Sequence, residues 1–348
     1  MFRKNYNILI TGSKGQLGSY LVEKFRKISF LKGRKIGKVF GVDIDNIDLS
    51  NRLSVFSLLG KKPDGEDHVK IDYVIHCAAA TNTVAIEEDP FKFYGSNCLA
   101  AKNIAEACVE NGIKMVFIST DYVLSERSPV VGAGIQEFPV NQYGMQKLVA
   151  ELFVKEAFKD KPKDLSIIRS SWMFGNSKSS FVEKFLKNAF SSYAKGIGSC
   201  DKPAIVNVAD DVFGRPTPVW TIAELILDGI YNGAYGTTDM QWMHTQISRY
   251  EWACMIWDAF TNASVSCDEA SLHMLESMRN AVKISPCSSS AFASKMKHPG
   301  RNDYMSTQNS TSLYADATRR YVNDTKNWHR LMDMAKEVVA NEAEVKHG

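Results

Sequence analysis

Tyr143 and Lys147 stand four residues apart in Tyr143-Gly144-Met145-Gln146-Lys147, a spacing that brings a phenol and an ammonium onto one face of a helix. A cation beside a phenol favours phenolate and draws the tyrosine pKa down from about 10, so the hydroxyl can exchange a proton with a substrate oxygen. The same pattern recurs at Tyr20 and Lys24, so spacing alone does not select the pair, but position does. Tyr20 falls just after a glycine turn, where a phosphate is expected rather than a reacting carbon. Tyr143 follows the apolar stretch Lys114-Met115-Val116-Phe117-Ile118-Ser119-Thr120, and Thr120 offers a second hydrogen bond to the oxygen that Tyr143 would protonate.

The glycine turn lies in Ile8-Leu9-Ile10-Thr11-Gly12-Ser13-Lys14-Gly15-Gln16-Leu17-Gly18, which reads as strand, turn and helix start. Glycine admits φ > 0 and close approach, and the N–H groups and dipole of a helix N-terminus favour an anion. The spacing is Gly-x-x-Gly-x-x-Gly, not the commoner Gly-x-Gly-x-x-Gly, so by themselves the glycines leave a phosphate site and a plain steric turn equally open. Lys38 to Asp43 reads as a second buried strand ending in an acid. Asp43 either binds a ribose diol, which would favour NAD over NADP by repelling a 2′-phosphate, or is a solvated carboxylate at a strand end. Asp48 opens the next helical stretch as its N-cap, or contacts adenine.

Ile71 to Ala80 is a third strand running into small residues, Ala78, Ala79 and Ala80, past which a dinucleotide can lie close to the backbone. Asn97 to Asn111 is a helix stopped by Gly112, Lys114 to Thr120 a strand, Tyr143 to about Phe158 a helix, and Leu165 to Trp172 a strand that closes the sheet. This alternation predicts an α/β fold, a Rossmann-type doubly wound parallel sheet with ligands at the strand C-terminal ends. Beyond Trp172, aromatic helices (Phe181 to Phe190, Tyr250 to Phe260) alternate with Ser- and Gly-rich connections. Only Ala204 to Val208 and Pro218 to Tyr231 keep the strand–helix beat, and both are expected to cross back to the sheet. The predicted division is a dinucleotide-binding domain over 1–172, with 203–232 returning to it, and a smaller, mainly C-terminal substrate-binding lobe from 173–202 and 233–348. The stretch 288–312 is a surface loop or a lid whose Lys295, Lys297 and Arg301 meet a charged substrate.

Composition narrows the partners. A net charge of +3 over 348 residues, with no long basic block, argues against a polynucleotide footprint. No apolar run approaches the roughly 18 residues of a membrane span, and the first residues lack a secretory apolar region, so a cytoplasmic chain is expected. Seven cysteines without a Cys-x-x-Cys pair, and seven histidines without ligand spacing, lead to reduced thiols and no metal site of protein ligands.

The chain resembles the extended short-chain dehydrogenase/reductase family, and more closely its dTDP-4-dehydrorhamnose reductase branch. Thr11-Gly12-x-x-Gly15-Gln16-Leu17-Gly18, Ala78-Ala79-Ala80, Ser119-Thr120-Asp121-Tyr122-Val123, Tyr143-Gly144-x-x-Lys147, Ser171-Trp172 and Gly214-x-Pro216-Thr217 carry the likeness. Ser248 to Ala253 and His298-Pro299 are weaker echoes. The resemblance implies NAD(P)H-dependent reduction of the 4-keto group of a nucleotide-linked 4-keto-6-deoxysugar, dTDP-4-dehydro-L-rhamnose first, for polysaccharide biosynthesis, in a chain that can form a homodimer. It implies Tyr143 as general acid, Lys147 on the nicotinamide ribose, Thr120 polarising the ketone and Trp172 lining the sugar pocket. Cofactor contacts would come from Gly12, Lys14, Gly15, Gln16, Leu17, Gly18, Asp43, Asp48, Ala78, Ala79, Ala80, Asn97, Tyr143 and Lys147. Substrate contacts would come from Thr120, Asp121, Tyr122, Trp172, Val212, Arg215 and Arg301.

Some positions depart from the branch. Val212 stands where it carries a glutamine and cannot hydrogen-bond a base edge, leaving the nucleotide open. Val84-Ala85-Ile86-Glu87-Glu88 lacks the branch's Asp and Lys. Arg215 either pairs with a diphosphate or is a surface arginine. A 4,6-dehydratase would need a glutamate where Tyr122 stands, and an epimerase of the same fold is a further alternative. The rival from another class is a catalytically idle, cofactor-binding regulatory subunit, against which Thr120, Tyr143 and Lys147 count.

Overall fold

The computed structural model describes residues 6–28, 30–31, 34–60, 69–124, 137–175, 180–196, 203–239, 246–263, 265–292 and 311–347. They fall into two compact units, one from 1–173 and 217–242, the other from 174–216, 243–294 and 300–348.

The first unit runs β1 (Tyr6–Thr11), α1 (Gln16–Lys27), β2 (Arg34–Val42), α2 (Arg52–Leu59), β3 (Tyr73–His76), α3 (Ala100–Asn111), β4 (Lys114–Thr120), α4 (Gln142–Ala157), β5 (Leu165–Ser170), α5 (Val219–Asn232) and β6 (Gly236–Asp239). The strands form a sheet in the order β6-β5-β4-β3-β1-β2, every neighbouring pair parallel, with Phe30–Leu31 added antiparallel beyond β2. Alternate residues of each strand enter opposite cores. Leu9, Val74, Met115, Phe117 and Ile167 pack with α2, α3 and α4 through Val55, Ile104 and Val154. Ile8, Ile10, Ile75, Val116, Ile118 and Ile168 pack with α1 and α5 through Leu21, Phe25, Ile222 and Ile226. Covered on both faces, the strands are apolar throughout, as parallel sheets require. The chain leaves β1 for β2 on one side and reaches β3 on the other, so the C-terminal ends of β1 and β3 flank the switch point where doubly wound sheets bind ligands.

The sheet does not close at β5, because Gly236–Asp239 pairs beyond it. That four-residue, polar strand carries no apolar run to announce it. Ala204–Ala209 does not return to this sheet either; it pairs parallel with Val282–Cys287 over six residue pairs in the second unit. Asp48 is not a helix cap, since α2 starts later and Asn51 caps it, accepting from the Ser54 amide at 3.2 Å.

The second unit gathers helices Phe181–Gly196, Arg249–Thr261, Glu269–Ala281, Thr311–Val322 and Thr325–His347. Aromatic contacts, Phe181 with Trp252 and Phe190 with Phe260 among them, fill its core. The buried Trp252 indole donates to Thr318 Oγ1 at 3.1 Å, which satisfies its polar end. Of the expected lid, Lys295, Lys297 and Arg301 lie outside the described residues.

Candidate active site

The turn between β1 and α1 is built for close approach. Gly12 has φ +66°, and a Cβ there would meet the Ala78 Cα at 2.8 Å, so the ends of β1 and β3 touch only because the residue is glycine. A Cβ on Gly18 would come within 2.1 Å of the Gly12 carbonyl oxygen, which presses α1 against the turn. Gly15 is the N-cap of α1 and no side chain caps it, so the first-turn amides face outward to an anion.

Asp43 is tied to this turn. Its Oδ2 accepts from the Lys14 amide at 2.7 Å and its Oδ1 from the Ile44 amide at 2.8 Å, leaving each oxygen a further lone pair for a hydroxyl. The Lys14 ammonium pairs with Asp45. Asp48 Oδ1 accepts from both the Ser50 hydroxyl and amide, and these bonds hold its carboxyl below the usual range. A cavity of about 380 Å³ opens here, lined by Gly12, Gly15, Asp43, Asp48, Ala78, Ala79 and Ala80, with Phe93, Ser96 and Ala100 completing its wall. Gln16 Oε1, buried beside the turn, has no hydrogen-bond partner among the described residues. Outward-facing amides, carboxylates beside a small-residue wall and an acceptor in want of a donor fit the adenosine and diphosphate of a nicotinamide dinucleotide.

Thr120, Asp121 and Tyr122, the candidates for the reacting end, lie at the C-terminus of β4. Thr120 Oγ1 accepts from the Tyr122 amide at 3.3 Å and donates to Asp121 Oδ1 at 3.4 Å. Helix α4 begins on Asn141, whose side chain accepts from the Gly144 amide at 2.8 Å, while Glu87 accepts from the Gln142 amide at 2.9 Å. A Cβ on Gly144 would lie 2.2 Å from the Tyr122 carbonyl oxygen, so glycine lets α4 approach and sets the Tyr143 and Tyr122 rings 6.1 Å apart, edge to face.

The electrostatics differ from the expected phenolate. Burial first, then Asp121 and Tyr122, push the Tyr143 phenol well above its ordinary value. Lys147, also buried, donates from Nζ to the Ile118 carbonyl at 2.8 Å and lies 4.2 Å from the Phe117 ring centre. Burial lowers its pKa to about 8 against an opposing pull from Glu151. Tyr143 therefore remains a protonated donor. At the second Tyr-x-x-x-Lys, Lys24 pairs with Glu224 of α5, where it serves packing of α1.

Other residues of the site carried no sequence signal. His76 ends β3 with Nδ1 2.8 Å from Thr11 Oγ1 and its ring stacked on Phe117; burial and Lys147 lower its pKa to about 3, so it is neutral. Glu151, fully buried one turn after Lys147, is held by both nitrogens of a fork from Arg169, at 2.9 and 2.6 Å. The Asn97 side chain is committed to the Ala80 amide and to Gln146. Trp172 has φ +32°, the one positive φ outside glycine among the described residues, a strained conformation of the kind that collects at functional sites. Val212 and Arg215 belong to the second unit. Both are buried, so Arg215 is not a surface arginine. Arg301 lies outside the described residues, and among those described no cluster of side chains could hold a metal ion and no helix is long and apolar enough to cross a membrane.

Residues 6–333 match the family described as RmlD substrate binding domain. The chain belongs to this family. A relative in Streptomyces niveus, named dTDP-4-keto-6-deoxy-D-glucose reductase, is 26% identical over 230 residues, covering 66% of this chain and 70% of its own. The methionine adenosyltransferase 2 subunit beta of Xenopus laevis is 26% identical over 260 residues, covering 72% of this chain and 71% of its own. A dTDP-4-dehydrorhamnose reductase from Bacillus anthracis, solved in complex with NADP, shares the fold of this RmlD-family chain at a TM-score of 0.67 and 24% identity, over 92% of this chain and 100% of that one.

Proposed function

We propose that this RmlD-family chain is an NAD(P)H-dependent reductase of the 4-keto group of a nucleotide-linked 4-keto-6-deoxysugar. The observation that carries the reading is a protonated, half-buried Tyr143 in the first turn of α4, which Gly144 seats against the Tyr122 carbonyl just after Thr120, in the unit that also holds the cavity at the glycine turn. A bound reduced nicotinamide supplies hydride to the carbonyl carbon. Tyr143 gives its proton to the carbonyl oxygen, and Thr120 turns its hydroxyl from Asp121 to the same oxygen. Lys147, anchored on the Ile118 carbonyl one turn of α4 from Tyr143, is assigned to the nicotinamide ribose. Trp172 lines the sugar side in this reading.

NAD is the favoured cofactor in this reading. Asp43, Asp45 and Asp48 crowd the loop after β2, and the Lys14 ammonium at the turn is already paired with Asp45, so a 2′-phosphate would meet negative charge. A cytoplasmic homodimer completes the reading, which light scattering on the purified chain would test.

The relative named as an adenosyltransferase subunit favours a second reading, a cofactor-binding subunit that serves a partner enzyme. Oxidation of NADH and NADPH with dTDP-, UDP- and GDP-linked 4-keto-6-deoxysugars separates the two. Turnover, greatest with a dTDP sugar, is expected; dinucleotide binding without turnover on any sugar, together with a stable hetero-oligomer, would replace the first reading by the second.

A further inference from the structure

Gln146 sits between the two catalytic side chains of α4 yet faces neither of them. Its Oε1 accepts from Asn97 Nδ2 at 2.9 Å, its Nε2 donates to the Pro90 carbonyl at 2.7 Å, and its own carbonyl oxygen accepts from Cys98 Sγ at 3.3 Å. Asn97 in turn accepts from the Ala80 amide at 2.7 Å. Gln146 and Asn97 are 5% and 2% exposed, so no solvent replaces a lost partner. The polarity of this chain of amides is forced. The Ala80 N–H can only donate, which fixes the oxygen of Asn97 toward it and its nitrogen toward Gln146, and then the nitrogen of Gln146 toward Pro90.

Local geometry puts adjacent residues on one target. Gly95–Leu99 is a π-helical turn, with the Ala100 amide bonded to the Gly95 carbonyl, and the wider turn lets both Asn97 and Cys98 reach Gln146. Such turns recur at functional sites. The flanking Ser96 and Ala100 line the cavity, as Ala80 does. One buried side chain therefore connects two pieces of the cavity wall to the helix that carries Tyr143 and Lys147.

We propose that Gln146 is a positioning residue that, through Asn97, fixes the Ala78–Ala80 wall against α4, so that a dinucleotide on that wall and the proton donor on the helix keep one relative placement. The inference rests on the reductase reading. Because it concerns placement rather than binding, breaking the link slows the chemical step while leaving cofactor affinity in place.

The test uses the full chain with Gln146→Met, which matches length but neither accepts nor donates, and Asn97→Asp, which keeps the acceptor for Ala80 and removes the donor to Gln146 without a change in volume. kcat with dTDP-4-dehydrorhamnose, the NADH dissociation constant, the melting temperature and the rate ratio with 4-deuterated NADH are measured. The expected result is a fall in kcat of about 10- to 100-fold in each variant, NADH affinity within about threefold of wild type, and a larger isotope effect. The double variant falls no further than the worse single one, since the link is broken once. If the Met variant fails to fold, Asn97→Asp decides. Unchanged kcat in a folded variant, or a loss of NADH affinity equal to the loss of rate, overturns the inference alone. A wild type that binds NADH but reduces no sugar nucleotide overturns the reductase reading instead.

Discussion

A protonated phenol is an acid, and burial followed by the Asp121 carboxylate lifts Tyr143 above the ordinary phenol value, so that it keeps its proton further into alkali. Tyr143→Phe removes the proton and keeps the ring against Tyr122. Keto-sugar reduction should fall by about 10²- to 10⁴-fold, with NADH affinity unchanged by fluorescence titration; an undiminished rate would remove Tyr143 from the chemistry. Lys147 gives a prediction with a definite sign. Its folded pKa is about 8 against an ordinary 10.5, so between these values the unfolded chain holds a proton that the folded chain has released. Stability must then rise with pH across that window, while below 8 the cost of the buried ammonium is constant. Urea midpoints from pH 7.5 to 10.5 should show this rise in the wild type and lose it in Lys147→Met. Parallel curves for the two proteins would mean that Lys147 titrates at its ordinary value.

Helix α4 can deliver these side chains only by lying against the turn after β4, and Gly144 is the contact that permits it. Gly144→Ala sets a methyl 2.2 Å from a backbone oxygen and 2.9 Å from Pro139 Cβ, so the helix must move. About 1–3 kcal/mol of stability should be lost, and reductase activity should drop by about tenfold or more. Gly112→Ala is the contrast: φ is +63° but nothing lies within 4 Å of the added carbon, so only backbone strain of about 1 kcal/mol is expected, with activity intact. Equal activity losses in both would argue against the close approach as the cause. Strands β1 and β4 were legible in the sequence because each carries an unbroken apolar run, whereas α4, whose buried face includes Gln146, Lys147 and Glu151, was marked by the spacing of Tyr143 and Lys147. Gly236–Asp239 was not, since an edge strand of Gly-Thr-Thr-Asp gains its identity only from β5 beside it. The same limit applies within the site: the Tyr/Lys pair shows in spacing, whereas Gln146 and His76 act through partners 49 and 65 residues away, and the upward shift of Tyr143 comes from burial that no local pattern records.

At the scale of the whole chain, the cavity at the glycine turn and helix α4 belong to the first unit, and each unit has its own apolar core. A ligand that binds only the folded first unit stabilises that unit by about 2.7 kcal/mol at a hundredfold excess over its dissociation constant. Units with separate cores can open separately. NADH should therefore slow amide exchange in β1, β3, β4 and the first turn of α1, and leave exchange unchanged in Phe181–Gly196 and Arg249–Thr261 of the second unit. Equal slowing in both sets would mean that the two units unfold as one cooperative body. Slowing confined to the second unit would place the dinucleotide away from the glycine turn altogether.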